Sequence, residues 1–242
     1  MIAIPIEAKA NEVLSQARNV LSTPLSALLP KQESGVRPSC PLPYELFVSG
    51  SLNSARNELV IRFQAKNDLF KDKAAGAPFA AYAFTTGNGY VCRDYAVEAG
   101  DVIEDSWKLA DFAYGEYHVH VYGPNGYFWK FSGSAEDPML EAQLAPALRG
   151  TESADVEVLL GSTSAGTGIT VSVLDNSYGK AEQTKQVAAG AKGSIRVSTA
   201  KSHRWYDLSL RVTGAPKFER RFAGRIETGA WGFSDPDRKS VV

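Results

Sequence analysis

Residues 116–133, EYHVHVYGPNGYFWKFSG, decide how the chain is read. Two histidines one residue apart, a glycine-rich turn and consecutive aromatics admit two readings: a metal or catalytic site, or the outer face of a β-hairpin. On a strand, residues two apart share a face. Tyr117, Val119 and Val121 are therefore expected to face the core, and His118, His120 and Tyr122 to face outward. GPNG supplies the turn, because its glycines tolerate positive φ. In the strand that follows, Tyr127 and Trp129 share one face and Phe128 and Lys130 the other.

The same period of two runs outward from this stretch. From Tyr44 on, YELFVSG, NELVIRFQAKN and PFAAYAFT have strand length and apolar patterning and close on glycine, asparagine or threonine. A second series follows: ADVEVLLGS, TGITVSVLDNS, GSIRVSTA, RWYDLSLRVTG and KFERRFAG. The two series are alike. VEAG at 97 returns as VAAG at 187, an offset of 90; Tyr117 returns as Tyr206, an offset of 89; Tyr127 returns as Phe218, an offset of 91. A near-constant offset across three motifs marks a duplicated unit. In the second copy Asp207 and Ser209 stand where the first has His118 and His120, so these positions read as an exposed face that accepts unrelated polar residues.

Ahead of the strands, residues 7–21 place Ala10, Val13, Leu14, Ala17, Val20 and Leu21 on one helical stripe, and Thr23-Pro24 ends it. Four prolines between 28 and 43 then make a stiff, extended connector. The expected fold is mainly β: two tandem, related, immunoglobulin-like β-sandwich domains preceded by a short helix and a proline-rich connector. The expected boundaries are 1–43 for helix and connector, 44–138 for the first domain, 139–153 for an acidic, proline-containing linker, and 154–242 for the second domain.

Composition narrows the function. The 242 residues carry 26 basic and 27 acidic groups, a balance that gives no field for nucleic acid or an anionic membrane. Cys40 and Cys92 have no C-x-x-C or Cys/His spacing, and unpaired thiols are expected in preference to a bridge. No run approaches the roughly 20 apolar residues that span a bilayer. The first residues, MIAIPIEAKANEVLSQ, show no secretory signal pattern.

Candidate chemistry is thin. A metal at His118 and His120 needs a third ligand; His203 lies in the other half, and nothing in the sequence brings Asp101, Glu104 or Asp105 to the pair. No metal and no cofactor are expected. There is no G-x-S-x-G elbow and no phosphate-binding glycine loop; YGPNGY and TTGNGY read as hairpin turns. Glu104 and Asp105 read as solvated strand-edge charges. Phe128, Trp129, Trp231 and Phe233 are the candidate contacts for a partner or lipid, weighed against burial in a core.

LPKQESGVRPSCPLPYELFVSG resembles the junction that leads into the C-terminal domains of bacterial phosphocholine-type phospholipases C. RDYAVEAGDVIEDSW, EYHVHVYGPNGYFWKFSG and FERRFAGRIETGAWGFSDP resemble three further motifs of that family, so the likeness covers residues 28–236. It implies a tandem β pair lying after an alkaline-phosphatase-like catalytic domain that holds the nucleophile and metal-binding acids, none of which falls on this chain. His118, Cys40 and Arg225 depart from the family's usual aspartate, arginine and histidine. The resemblance implies a non-catalytic accessory region whose exported parent hydrolyses phosphatidylcholine or sphingomyelin to phosphocholine. Its partners would be the catalytic domain and a phospholipid surface, with no nucleic acid. The rival expectation is a stand-alone carbohydrate-binding or adhesive tandem sandwich.

Overall fold

A computed structural model describes residues 35–87, 89–149, 153–163 and 166–236. The helix expected over 7–21 lies outside the described residues. Sixteen strands account for most of the remainder. In chain order the first eight are β1 (Pro38–Ser39), β2 (Leu46–Leu52), β3 (Glu58–Ala65), β4 (Ala77–Thr85), β5 (Gly89–Val97), β6 (Val102–Lys108), β7 (Glu116–Tyr122) and β8 (Phe128–Ser134). The other eight are β9 (Leu140–Arg149), β10 (Ser153–Ser162), β11 (Ile169–Asp175), β12 (Gln183–Val187), β13 (Lys192–Ser198), β14 (Trp205–Val212), β15 (Ala215–Arg225) and β16 (Gly232–Phe233).

The strand order makes the duplication visible. One eight-stranded sheet runs β12-β11-β14-β15-β8-β7-β4-β5, and two three-stranded sheets, β2-β3-β6 and β13-β10-β9, complete the two halves. Each half is thus a seven-stranded sandwich of three strands and four, the immunoglobulin-like arrangement. The halves join where equivalent strands meet: β8 pairs antiparallel with β15, Trp129 opposite Phe222 and Lys130 opposite Arg221. An order that reads the same from either edge has a pseudo-two-fold axis between those two strands.

The inward faces follow the alternation. Tyr117, Val119 and Val121 on β7 are buried, as are Tyr206, Leu208 and Leu210 on β14. In the first half Phe63 meets Phe79 with ring centroids 5.6 Å apart, and Phe79 meets Trp129 at 5.9 Å. Each such side chain contributes roughly 1.5–3 kcal/mol on leaving water. Gly50 on β2 is a glycine because Phe131 occupies the space: an added Cβ would lie 2.7 Å from that ring. Between β7 and β8, Asn125 and Gly126 both take positive φ, at 53° and 77°, which closes the GPNG turn.

Two expectations need correction. Residues 139–153, read as a linker, hold β9, which pairs with β10 from Leu140 opposite Ser162 to Arg149 opposite Ser153. Leu140 and Leu144 bury on its inward face. Pro146 disguised the strand, and it is tolerated because β9 is the outer strand of its sheet. Asp105, read as a solvated charge, instead accepts hydrogen bonds from Arg93 (2.8 Å) on β5 and from Tyr95 (2.6 Å) on the same strand. It ties the edges of the two facing sheets together.

Candidate functional site

The outer face of the eight-stranded sheet carries the histidines. Tyr82, His120, Lys130, Arg221 and Ser209 form one row across β4, β7, β8, β15 and β14. Tyr122, Phe128, Ala223 and Asp207 form the next. The Nε2 atoms of His118 and His120 lie 2.8 Å apart, so one ring donates and the other accepts. The Phe84 ring sits 4.9 and 5.0 Å from the two imidazoles, and Phe128 sits 5.2 Å from His120. Burial lowers both pKa values; His118 and the cations Lys130 and Arg221 add to the effect on His120, which falls to about 4. The pair is neutral at neutral pH. Among the described residues no three His, Cys, Asp or Glu side chains converge on a common point.

The matching positions of the second half are spent differently. Asp207 accepts two hydrogen bonds from Arg221, at 2.7 and 2.6 Å, and others from Asn176 (2.9 Å) and Ser177 (3.1 Å). Asp207 and Ser209 are buried, not exposed as the alternation suggested, because Asn176 and Ser177, just after β11, lie over them. Bonding to Asp207 raises the Arg221 pKa further.

A second place of interest is where the connector meets the body. β1 pairs with β16, Pro38 opposite Phe233 and Ser39 opposite Gly232. Arg37 N–H donates to Ser234 Oγ at 3.0 Å, and Ser234 N–H to the Arg37 carbonyl at 2.8 Å. Beneath them Arg225, 1% exposed, donates to Ser39 Oγ and faces Glu227 at 3.3 Å, while Leu42 N–H donates to the Glu227 carboxylate at 3.3 Å. Burial raises the Glu227 pKa. Among the described residues Arg225 Nε and Glu227 Oε1 find no hydrogen-bond partner. Both residues line a cavity of about 360 Å³ whose other walls include Tyr44, Phe47, Leu144 and Tyr206.

Of the four aromatic candidates, two are enclosed by the chain itself. Trp129 stacks on Tyr127 inside the first half, and Phe128 lies on the outer face beneath His120, Tyr122 and Arg221. Trp231, 69% exposed, and Phe233, 40% exposed, stand beside the connector. Their backbone is held by Arg204, which donates to the Trp231 carbonyl (2.9 Å), and by Trp205 Nε1, which donates to the Phe233 carbonyl (2.9 Å). Cys40 and Cys92 are exposed and unpaired. Sequence reasoning missed Tyr82, Tyr90 and Asp94, which join the histidine face, and the Arg225–Glu227 pair. The alternation in PFAAYAFT carried the signal for Tyr82; nothing local pointed to Glu227.

The family described as Bacterial phospholipase C, C-terminal domain, matches the chain twice, over residues 38–134 and 140–225. A non-hemolytic phospholipase C of Pseudomonas aeruginosa is 34% identical over 221 residues, which are 88% of this chain and 30% of that protein. A non-hemolytic phospholipase C of Burkholderia pseudomallei is 32% identical over 216 residues, 88% of this chain and 29% of that protein. A hemolytic phospholipase C of Pseudomonas aeruginosa is 29% identical over 226 residues, 86% and 30% of the two chains. The chain therefore spans less than a third of the length of these curated relatives.

Proposed function

Because the chain belongs to the bacterial phospholipase C C-terminal domain family, we propose that it is the non-catalytic accessory region of such a phospholipase C. The parent would hydrolyse phosphatidylcholine or sphingomyelin to phosphocholine. The β pair would seat the catalytic portion and support its access to substrate at a membrane. One observation supports this most: the described end of the connector, residues 36–43, is fastened to the second half. It is paired as a strand with β16 and locked from below by Arg225 and Glu227. Exposed Trp231 and Phe233 stand beside this pairing, where they would receive a partner portion.

The test uses the 242-residue chain and, separately, the remaining portion of the Pseudomonas aeruginosa relative. The chain alone is expected to leave p-nitrophenylphosphorylcholine at the buffer rate, to co-elute with the catalytic portion, and to raise its midpoint of thermal unfolding. Trp231→Ala with Phe233→Ser should weaken co-elution by about tenfold or more. Turnover by the chain itself, abolished by chelation and by His118→Ala or His120→Ala, would overturn the proposal.

A further inference from the structure

The outer face holds a small box that the accessory reading does not use. On β4 the sheet presents Pro78, Ala80, Tyr82 and Phe84 outward, and Ala80 is the small one. In the pairing register Ala80 has Asp94 of β5 on one side and Tyr122 of β7 on the other. Strands two apart lie about 9.5 Å from each other, so the missing side chain at Ala80 leaves a gap between these larger neighbours. Tyr82 closes one end, its ring 5.7 Å from Tyr122 at an interplanar angle of 85°. Tyr90 stands 5.4 Å from Tyr82 on the other flank. The resulting cleft, about 420 Å³, has Ala80 for a floor and Tyr82, Phe84, Tyr90, His120 and Tyr122 for walls.

Its electrostatics favour a cation. Aromatic faces are negative, and Asp94, opposite Ala80 in the register, adds an exposed carboxylate beside the cleft, where the Cys92 thiol donates to it at 3.8 Å. The nearest cations on the same face are already paired, Lys130 with Glu219 and Arg221 with Asp207. The His118–His120 pair contributes no charge at neutral pH. The walls favour one kind of cation over others. A primary ammonium would surrender its water hydrogen bonds to ring faces and a methyl group that return few of them. An ammonium already clothed in methyl groups has none to surrender.

We propose that the cleft over Ala80, walled by Tyr82, Tyr90 and Tyr122 with the Asp94 carboxylate on the neighbouring strand, binds a quaternary ammonium group. At the matching place in the second half, β11 and β14 present Ser172 and Arg211, paired in register, where a cage would need rings. The inference stands whether or not the chain serves a phospholipase C, since it concerns a face distant in sequence from the connector and is read out without a catalytic portion.

The experiment titrates the 242-residue chain with tetramethylammonium chloride at constant ionic strength, following tyrosine ring resonances by NMR, with ammonium chloride as the matched control. Saturable shifts confined to Tyr82, Tyr90 and Tyr122 are expected for the methylated ion alone. Tyr82→Ala or Tyr122→Ala should each weaken binding about tenfold, and Asp94→Asn about threefold to tenfold. Tyr122→Phe should retain it, because the ring face and not the hydroxyl is used. Tyr114→Ala, at a 98% exposed ring elsewhere, should leave it unchanged. Sedimentation with phosphatidylcholine vesicles against phosphatidylglycerol vesicles separates the sources. Selective capture by the first marks a lipid headgroup; capture by neither, with tetramethylammonium still bound, marks a free solute. Absence of saturable binding, equal binding of ammonium, or binding that survives Tyr82→Ala combined with Tyr122→Ala overturns the proposal.

Discussion

The two halves use one backbone plan and two different outer surfaces. Inward, β7 and β14 agree closely: Tyr117, Val119 and Val121 match Tyr206, Leu208 and Leu210, all buried. Outward, the first half gathers rings, with Phe84, His118, His120, Tyr122 and Phe128 in mutual contact. The second half gathers hydrogen bonds, with Asp207 taking both nitrogens of Arg221 and the side chains of Asn176 and Ser177. After duplication the inward face answers to packing in both copies and stays alike. The outward face is released from that constraint. In one copy it was turned into a closed polar cluster; in the other it stays partly open and aromatic, which is the side on which a ligand can act.

The sharpest test of that contrast falls on the second half. Asp207→Ala leaves the half-buried Arg221 without its partner and strips Asn176 and Ser177 of an acceptor. Removing one member of a buried pair costs about 3–5 kcal/mol, read as a fall in the urea midpoint. His118→Ala, at the matching position, should cost less than about 1 kcal/mol, since it removes one hydrogen bond from a partly solvated pair. Equal losses at the two positions would erase the distinction between a structural and an open face.

The inward face is the place to test what the halves share. Gly50→Ala drives a methyl into the fully buried Phe131 ring, and overpacking of this kind costs about 1–3 kcal/mol. Tyr90→Ala, on the outward face of the same half, should change stability by about 0.5 kcal/mol or less. A thermal unfolding series on both variants checks the pair, and a neutral Gly50→Ala would mean the core tolerates more than its close packing suggests.

Much of this was legible in the sequence, for a physical reason. Period-two patterning reports which face is buried, and it correctly oriented Tyr117, Val119, Val121 and their partners near residue 206. The repeated offset near 90 residues anticipated the like strand order of the halves. What alternation cannot report is what lies over an outward face. Asp207 and Ser209 point away from the core yet are buried, because residues 176 and 177 fold back over them. Nor can it report pairing between distant strands: the joining of β8 to β15, and the locking of Ser39 by Arg225, depend on residues 85 or more apart. Ala80 was the least visible of all, since the cleft is made by what that position lacks.

The smallest effect is a pH dependence that separates the two outer faces. His120 has its pKa lowered by burial, with His118, Lys130 and Arg221 adding to the shift and Glu219 opposing it, to about 4. An unfolded histidine titrates near 6.5. Between these values the unfolded chain binds a proton that the folded chain refuses, so stability rises with pH across that window. The contribution is fully present above about pH 6.5 and is lost as pH falls through about 4, amounting to on the order of 1 kcal/mol once solvent screening of the partly open pair is allowed for. His120→Gln removes the group and should flatten that slope, while substitutions at Ser209, its counterpart on β14, should leave it in place. The direct check is the imidazole titration by NMR. A midpoint near 4 supports a pair half-covered by the rings of Phe84 and Phe128; a midpoint near 6.5 would mean that those rings do not keep water from His120.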